Sequence, residues 1–151
     1  MPHCLCNQFT DPLRSMADVR RRCDEAGLLT PSLLPVAVND ENWMAVLQCR
    51  QCGARWAREY PYGEHHGGGA PCFYAVDAVD PSTWLVKATP LAPAIRQADD
   101  DSRFLAELGA EVGPEPCRRP NCTRKRIALS VLCRAHHFES IRGRLPAVEA
   151  Q

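Results

Sequence analysis

The 151-residue sequence lacks several features that would point directly to a function. No apolar run is long enough to cross a bilayer, and the first residues, MPHCLCNQF, have neither the basic nor the apolar region of a secretory leader. No serine lies in a G-x-S-x-G elbow, and no G-K-[ST] follows the glycine-rich stretch, so two common hydrolase and nucleotide-binding motifs are excluded. The formal net charge is zero, which gives no reason to expect an anionic partner. These absences predict a soluble cytoplasmic protein.

Cysteine, by contrast, is abundant. The chain has nine cysteines, an odd number, and 45% apolar residues, which is enough for only a modest core. An odd count without a leader argues against a disulfide framework and favours thiolate metal ligands in a reducing cytoplasm. We therefore expect metal ions to supply part of the stability.

The C-terminal quarter contains the strongest metal-binding pattern, Cys117-x4-Cys122-x10-Cys133-x2-His136. Three thiolates and one imidazole complete a tetrahedral zinc sphere, with two ligands on a loop and two at the start of a helix. His137 is the alternative fourth ligand, although two intervening residues suit a helical turn better. The pattern is similar to the short knuckles of many zinc-binding and nuclease-associated modules.

A second metal site is predicted near the N-terminus. Cys49-x2-Cys52-Gly53 has the sequence of a zinc knuckle, in which glycine permits the tight turn that directs backbone N–H groups at sulfur. Its predicted partners are Cys4 and Cys6, with His3, His65 or Cys72 as substitutes. A thioredoxin-like redox pair is the alternative for Cys49 and Cys52, but no βαβ context is apparent. Cys23, on the apolar face of a predicted helix, is interpreted as a small core residue.

The remaining patterns predict a mixed α+β fold. We expect a helix over about 12–26, capped by Asp11 and ended by Gly27, and a hairpin formed by WMAVLQ and RWAREYP with CRQCG at its tip. CFYAVD and TWLVKAT are predicted strands, PLAPAIRQADDDS a connector, and DSRFLAELGAEV a helix capped by Asp101 or Ser102. The predicted parts are a zinc-ribbon-like β unit over 1–88, a connector with an acidic helix over 89–116, and a treble-clef-like or knuckle zinc module over 117–151, packed as one body.

Charge is unevenly distributed along the second half of the chain. Residues 99–115 carry six acidic residues against one basic residue, whereas residues 117–144 carry eight basic residues against one acidic residue. The basic residues are Arg118, Arg119, Arg124, Lys125, Arg126, Arg134, Arg142 and Arg144. The two segments could simply face each other, or the basic one could contact phosphates.

The stretch REYPYGEHHGGGAPC, residues 58–72, does not look like routine scaffolding. Its glycines could form an oxyanion loop or an anion-binding nest, and His65 or His66 with Glu64 could serve a nuclease, but the companion motifs of each enzyme are missing. A tight structural turn is the plainest alternative.

The same stretch resembles a known motif. Tyr60, Pro61, Glu64, His66, Gly67, Gly68, Gly69 and Pro71 form a Y-P-x-x-E-x-H-G-G-G-x-P pattern, with Trp56 upstream on a predicted strand. This pattern resembles that of an immunity protein family of bacterial polymorphic toxin systems, apart from Ala70 in place of a proline and Cys72-Phe73 after it. The resemblance implies a small, largely β, cytoplasmic protein that protects the producing cell by binding a cognate toxin.

We therefore predict a non-enzymatic protein with two structural Zn²⁺ ions that binds and neutralises a toxin or another protein. The predicted partner-binding residues are Tyr60, Tyr62, Glu64, His65, His66, Gly67, Gly68 and Gly69, together with the acidic segment over 99–115. The alternative is a nucleic-acid-binding regulator that uses the basic C-terminal module, for which binding should fall steeply with salt.

Overall fold

A computed structural model describes residues 4–63 and 68–147 of the chain. The chain divides into two compact units, Met1–Ile95 and Arg96–Gln151. The predicted α+β class is confirmed, since helices accompany a four-stranded antiparallel sheet and two cysteine-rich groups that could hold metal. In the described parts of the chain, no helix has both the length and the apolar character needed to cross a membrane.

The first unit is built on an antiparallel meander of four strands in sequence order. The strands are β1 Leu33–Asn39, β2 Met44–Cys49, β3 Arg55–Glu59 and β4 Cys72–Ala75. The predicted hairpin is confirmed, because β2 and β3 pair from Ala45 with Arg58 to Gln48 with Arg55 and leave the CRQCG sequence at the turn. The predicted CFYAVD strand is also confirmed as β4.

Clusters of apolar residues lie on both faces of this sheet. Leu47, Trp56 and Phe73 pack on one face with Phe9 of a 3₁₀ helix, Leu5–Phe9, and with Leu29 of a short helix. On the opposite face, a separate cluster contains Met44, Val46, Ala78 and Leu85. The helices of the chain are α1 Met16–Asp24, α2 Ala26–Leu29, α3 Pro81–Lys87, α4 Ala92–Glu107 and α5 Arg134–Arg142, with a second 3₁₀ helix at Thr30–Ser32.

The helix predicted over 12–26 has different ends. It begins at Met16, because Ser15 accepts a hydrogen bond from the backbone N–H of Asp18 while the Asp18 carboxylate accepts one from the N–H of Ser15. This reciprocal capping box replaces the predicted cap at Asp11. Gly27 lies inside α2 and does not end the helix.

Two predictions between residues 80 and 107 are wrong. TWLVKAT is not a strand but most of α3, whose N-cap Asp80 accepts from the N–H of Thr83, with Pro81 as first helical residue. The proposed connector is the first half of α4, so the predicted caps Asp101 and Ser102 lie inside that helix. The start of α4 is capped from elsewhere in the chain, by the buried carboxylate of Glu59, which accepts from the N–H groups of Leu91 and Ala92 at 2.6 and 2.8 Å.

A buried arginine ties the N-terminal segment to the sheet. Arg22 is 4% exposed, and its guanidinium donates to the backbone carbonyls of Phe9 at 2.6 Å, Asp11 at 3.1 Å and Phe73 at 3.1 Å. Because its donors are paired and its plane lies over the Phe9 ring, the charge is tolerated in the interior.

The second unit packs α5 against the C-terminal part of α4. Phe138 is fully buried, and its ring lies 5.6 Å from that of Phe104. Leu105 and Ile127 are also buried, and a single antiparallel bridge joins Pro116 and Lys125 in the connecting segment. The predicted helix after Cys133 is confirmed as α5.

Candidate functional site

The N-terminal cysteines meet the hairpin, as the zinc-ribbon-like pairing predicts. The sulfur atoms of Cys4, Cys6, Cys49 and Cys52 all lie within 4.8 Å of one another, and those of Cys4 and Cys52 are 3.3 Å apart. Four thiolates bound to zinc at about 2.3 Å lie roughly 3.8 Å from one another, so these residues fit the shell of one ion.

Local backbone structure places each pair of ligands. Cys49 ends β2 and its N–H donates to the carbonyl of Ala54 at 2.8 Å, while the N–H of Gly53 donates back to the Cys49 carbonyl at 3.0 Å. Gly53 has φ +75°, a left-handed conformation that glycine adopts without strain. On the other side, the Cys4 sulfur caps the 3₁₀ helix by accepting from the N–H of Cys6 at 3.3 Å.

The substitutes considered for this site lie elsewhere or outside the described residues. Cys72 is buried with Val19 and Cys23 in a different cluster. His3 and His65 are outside the described residues. Cys23 is 6% exposed, in keeping with its interpretation as a core residue.

The second group joins a loop to the start of α5. His136 Nδ1 lies 3.3 Å from the sulfur atoms of both Cys117 and Cys133, and the Cys122 and Cys133 sulfur atoms are 3.9 Å apart. All four ligand atoms lie within 4.8 Å of one another, which again fits a single tetrahedral ion. His137 is directed away, with Nδ1 3.0 Å from Ser130 Oγ, so the structure brings His136 to the cluster.

Tight turns and a helix terminus create this second arrangement. The N–H of Cys117 donates to the Arg124 carbonyl at 2.8 Å, and that of Cys122 donates to the Arg119 carbonyl at 3.2 Å. Asn121 has φ +63°, in the left-handed region that asparagine tolerates better than most residues. Cys133 is the N-cap of α5, which places His136 in the first helical turn.

One thiol in each group is poised to ionise. Burial alone would raise the pKa of Cys49, but the backbone N–H groups of Cys52 and Gln51 donate to its sulfur and lower the pKa to about 7. Burial likewise opposes ionisation of Cys117, whose pKa is lowered to about 6 by the N–H groups of Cys133 and Arg119 and by His136. Since the thiolate is the form that binds metal, N–H donors directed at sulfur favour metal binding.

The predicted partner-binding residues separate into three sets. Tyr60, Gly68 and Gly69 line an open cleft of about 520 Å³. Tyr62 instead packs on the cluster that contains Cys72. Glu64, His65, His66 and Gly67 lie outside the described residues.

Sequence reasoning missed other residues of this cleft, namely Val38, Asp40, Trp43 and Arg58. An available signal was the tryptophan in the short polar turn NDENW, where a large aromatic residue has no core to join.

The two oppositely charged segments pair with each other inside the second unit. Three ion pairs join them, Arg124 to Glu111, Arg126 to Glu115 and Arg144 to Asp101, and a fourth pairs Arg119 with Glu139 within the basic segment. Asp101 is almost completely buried, whereas the other carboxylates are more exposed. Four of the eight basic residues between 117 and 144 are therefore already engaged with carboxylates.

Comparison of the chain with protein-family models, with curated proteins and with solved structures finds no significant match.

Proposed function

We propose that this protein is a non-catalytic zinc-binding protein whose two metal ions hold its fold together. The observation that carries the proposal is the completeness of both groups: each gathers four side-chain ligands within 4.8 Å. A sphere closed by four protein ligands has no position for a water or a substrate, which distinguishes structural zinc sites from catalytic ones.

The ligand chemistry favours zinc over other divalent ions. Four cysteines, and three cysteines with one histidine, are ligand sets typical of structural zinc sites, whereas magnesium and calcium prefer oxygen. Thiolates stay reduced in the cytoplasm, which is where we place the protein.

Metal content tests this proposal. Protein purified without metal-chelating tags should contain two zinc ions per chain by elemental analysis. Cys52→Ser and Cys122→Ser should each contain one, while Ser140→Ala, at an exposed position of α5, should keep two. A zinc content near zero in freshly purified, reduced protein would contradict the proposal, as would a redox-active disulfide between Cys49 and Cys52.

The same scaffold is proposed to act by binding a protein, as an immunity-type protein binds a toxin. The support is the open cleft of the first unit, which includes three of the residues in the Y-P-x-x-E-x-H-G-G-G-x-P stretch, Tyr60, Gly68 and Gly69. A rigid scaffold suits this role because little ordering free energy is lost on binding.

Capture from the native host tests the binding role. The tagged protein should retain a stoichiometric protein after nuclease treatment, and coexpression should relieve any growth inhibition that the captured protein causes. Recovery of nucleic acid alone, released steeply by salt, would contradict this role and support the alternative of nucleic-acid binding. That alternative has less support, because four of its basic side chains pair with carboxylates.

A further inference from the structure

The cleft lies on one face of the sheet, beside the turn that joins β1 to β2. Val38 pairs with Ala45 and Ala45 with Arg58, so these three residues form a row across β1, β2 and β3 with side chains on one face. Ala45 belongs to the core cluster that contains Leu47. Val38 and Arg58 are left to line the cleft with Asp40, Trp43, Tyr60, Gly68 and Gly69.

Trp43 is exposed and its backbone is strained. It closes the turn between β1 and β2 with φ +60°, and 62% of its surface is exposed. Bulky residues rarely adopt this left-handed conformation, which glycine or asparagine adopts at lower cost. Trp43 thus combines local backbone strain with a solvated indole. Because strained residues often lie at ligand-binding sites, this combination makes Trp43 a candidate ligand contact.

The aromatic rings and the cation of the cleft are arranged together. The Trp43 and Tyr60 rings meet edge to face, with centroids 6.4 Å apart and planes at 87°. The guanidinium of Arg58 lies over the Tyr60 ring at 5.4 Å. Its Nε is buried and has no hydrogen-bond partner within the part of the chain that the structure describes. The cleft thus combines apolar ring surface with the guanidinium of Arg58.

We propose that this cleft binds a carboxylate carried next to an aromatic or large aliphatic side chain, on a segment of the protein partner. The inference rests on the proposed function, which supplies that partner. Arg58 would pair with the carboxylate, and the rings of Trp43 and Tyr60 would cover the apolar side chain.

The charge of the lining favours a carboxylate over a phosphate. Among the described residues that line the cleft, Arg58 is the single basic one, and Asp40 provides one opposing charge. A phosphate ester with a charge near two would meet only one cation among these described residues, whereas nucleic-acid binding relies on several basic contacts. A singly charged carboxylate matches one arginine, with Asp40 limiting the affinity.

Small probes test this inference without knowledge of the partner. N-acetylphenylalanine carries the two groups as a C-terminal carboxylate, and acetyl-Gly-Asp-Phe-Gly-amide carries them with the carboxylate on a side chain. N-acetylphenylalaninamide is the neutral control. The indole N–H resonance of Trp43, identified by its loss in Trp43→Phe, reports binding in NMR titrations of the full zinc-loaded chain.

At least one carboxylate probe should shift this resonance and bind about tenfold more tightly than the neutral amide, a difference expected of a charged hydrogen-bonded pair. Which of the two binds better identifies the source of the carboxylate. Arg58→Gln should lower the affinity about tenfold, whereas Asp40→Asn should raise it by removing a repulsive charge. Arg20→Gln, at an exposed position of α1, is the matched control and should change nothing.

Equal binding of acid and amide, or unchanged affinity in Arg58→Gln, would overturn the inference. Binding of adenosine 5′-monophosphate in preference to both carboxylate probes would also overturn it. If neither probe binds while the protein contains two zinc ions and captures its partner, the inference about the cleft is wrong and the proposed function stands. Loss of zinc from the wild-type protein would instead reject the proposed function.

Discussion

At the scale of single residues, Trp43 offers a direct test of stored strain. Trp43→Gly should stabilise the protein by about 1 kcal/mol relative to Trp43→Ala, because both lose the contact with Tyr60 but only glycine adopts φ +60° without a side-chain clash. Denaturant unfolding of the two variants, purified in the same way, measures the difference in free energy of unfolding. Equal stability of the two variants would show that the turn relaxes and stores no strain.

Asp101 provides a pH-dependent prediction. The hydrogen-bonded guanidinium of Arg144, at 2.7 and 2.8 Å, lowers the pKa of this carboxyl below its usual range. A carboxyl whose pKa falls on folding stabilises the protein above its unfolded pKa of about 3.9, and that stabilisation is lost as the pH drops through the folded pKa.

Asp101→Asn should therefore lower Tm by several degrees at neutral pH, and the gap from the wild type should be unchanged between about pH 5.5 and 8. It should narrow only at lower pH, as far as both proteins remain folded. Asp100→Asn, at an exposed position, is the control. A gap that already closes near pH 6 would assign the effect to another titrating group.

The membership of the two cysteine-rich groups is the residue-scale property that the sequence predicted best. Cysteine and histidine spacing predicted the two groups that the structure assembles, including His136 rather than His137. Trp43 and Arg58 were not recognised, because their role depends on a row of residues across three strands that no local spacing reveals.

At the scale of elements, Glu59 determines where α4 begins. Its buried carboxylate accepts from the N–H groups of Leu91 and Ala92 and from the hydroxyl of Tyr74. Glu59→Ala should destabilise the protein by about 2–3 kcal/mol, because it leaves buried donors without an acceptor. Urea unfolding checks this, with Glu41→Ala at an exposed turn position as the control. If Glu59→Ala lowers the free energy of unfolding no more than Glu41→Ala does, water replaces the carboxylate as the acceptor.

The same contact explains why sequence reasoning missed the first half of α4. The capping residue lies 32 positions before Leu91 in the chain, so no N-cap residue near position 90 indicates the start of a helix. The error at α3 has a local cause. Thr83, Trp84 and Val86 favour strands, and this weak preference was given more weight than Asp80 and Pro81, which begin a helix.

At the scale of the whole molecule, each metal group should support its own unit. Cys52→Ser should speed amide exchange in β2 and β3 far more than in α5, and Cys122→Ser should do the reverse, because each change removes a cross-link within one unit. Hydrogen exchange followed by mass spectrometry resolves the two. Exchange that accelerates in the same elements for both variants would show that the ions act on one cooperative structure.

The α+β architecture could be predicted from the sequence because much of it follows from local patterns. A hairpin with cysteines at its tip and a helix capped by Cys133 are local patterns, and the two cysteine-rich groups join distant segments through few residues. The packing of helices on the two faces of the sheet depends on many weak apolar contacts spread over the first unit, which composition alone does not assign.

The distribution of cysteines also means that thiol alkylation can report local unfolding in different parts of the chain. Its nine thiols fall into three classes: four that meet at the first metal group, three at the second, and the Cys23 and Cys72 pair enclosed in a core cluster. An alkylating reagent should modify these classes separately, with the thiols of each group reacting when its proposed ion dissociates and the enclosed pair only when the sheet separates from α1. Mass increments of four, three and two labels would then give the rate at which each part of the molecule unfolds, without an added probe.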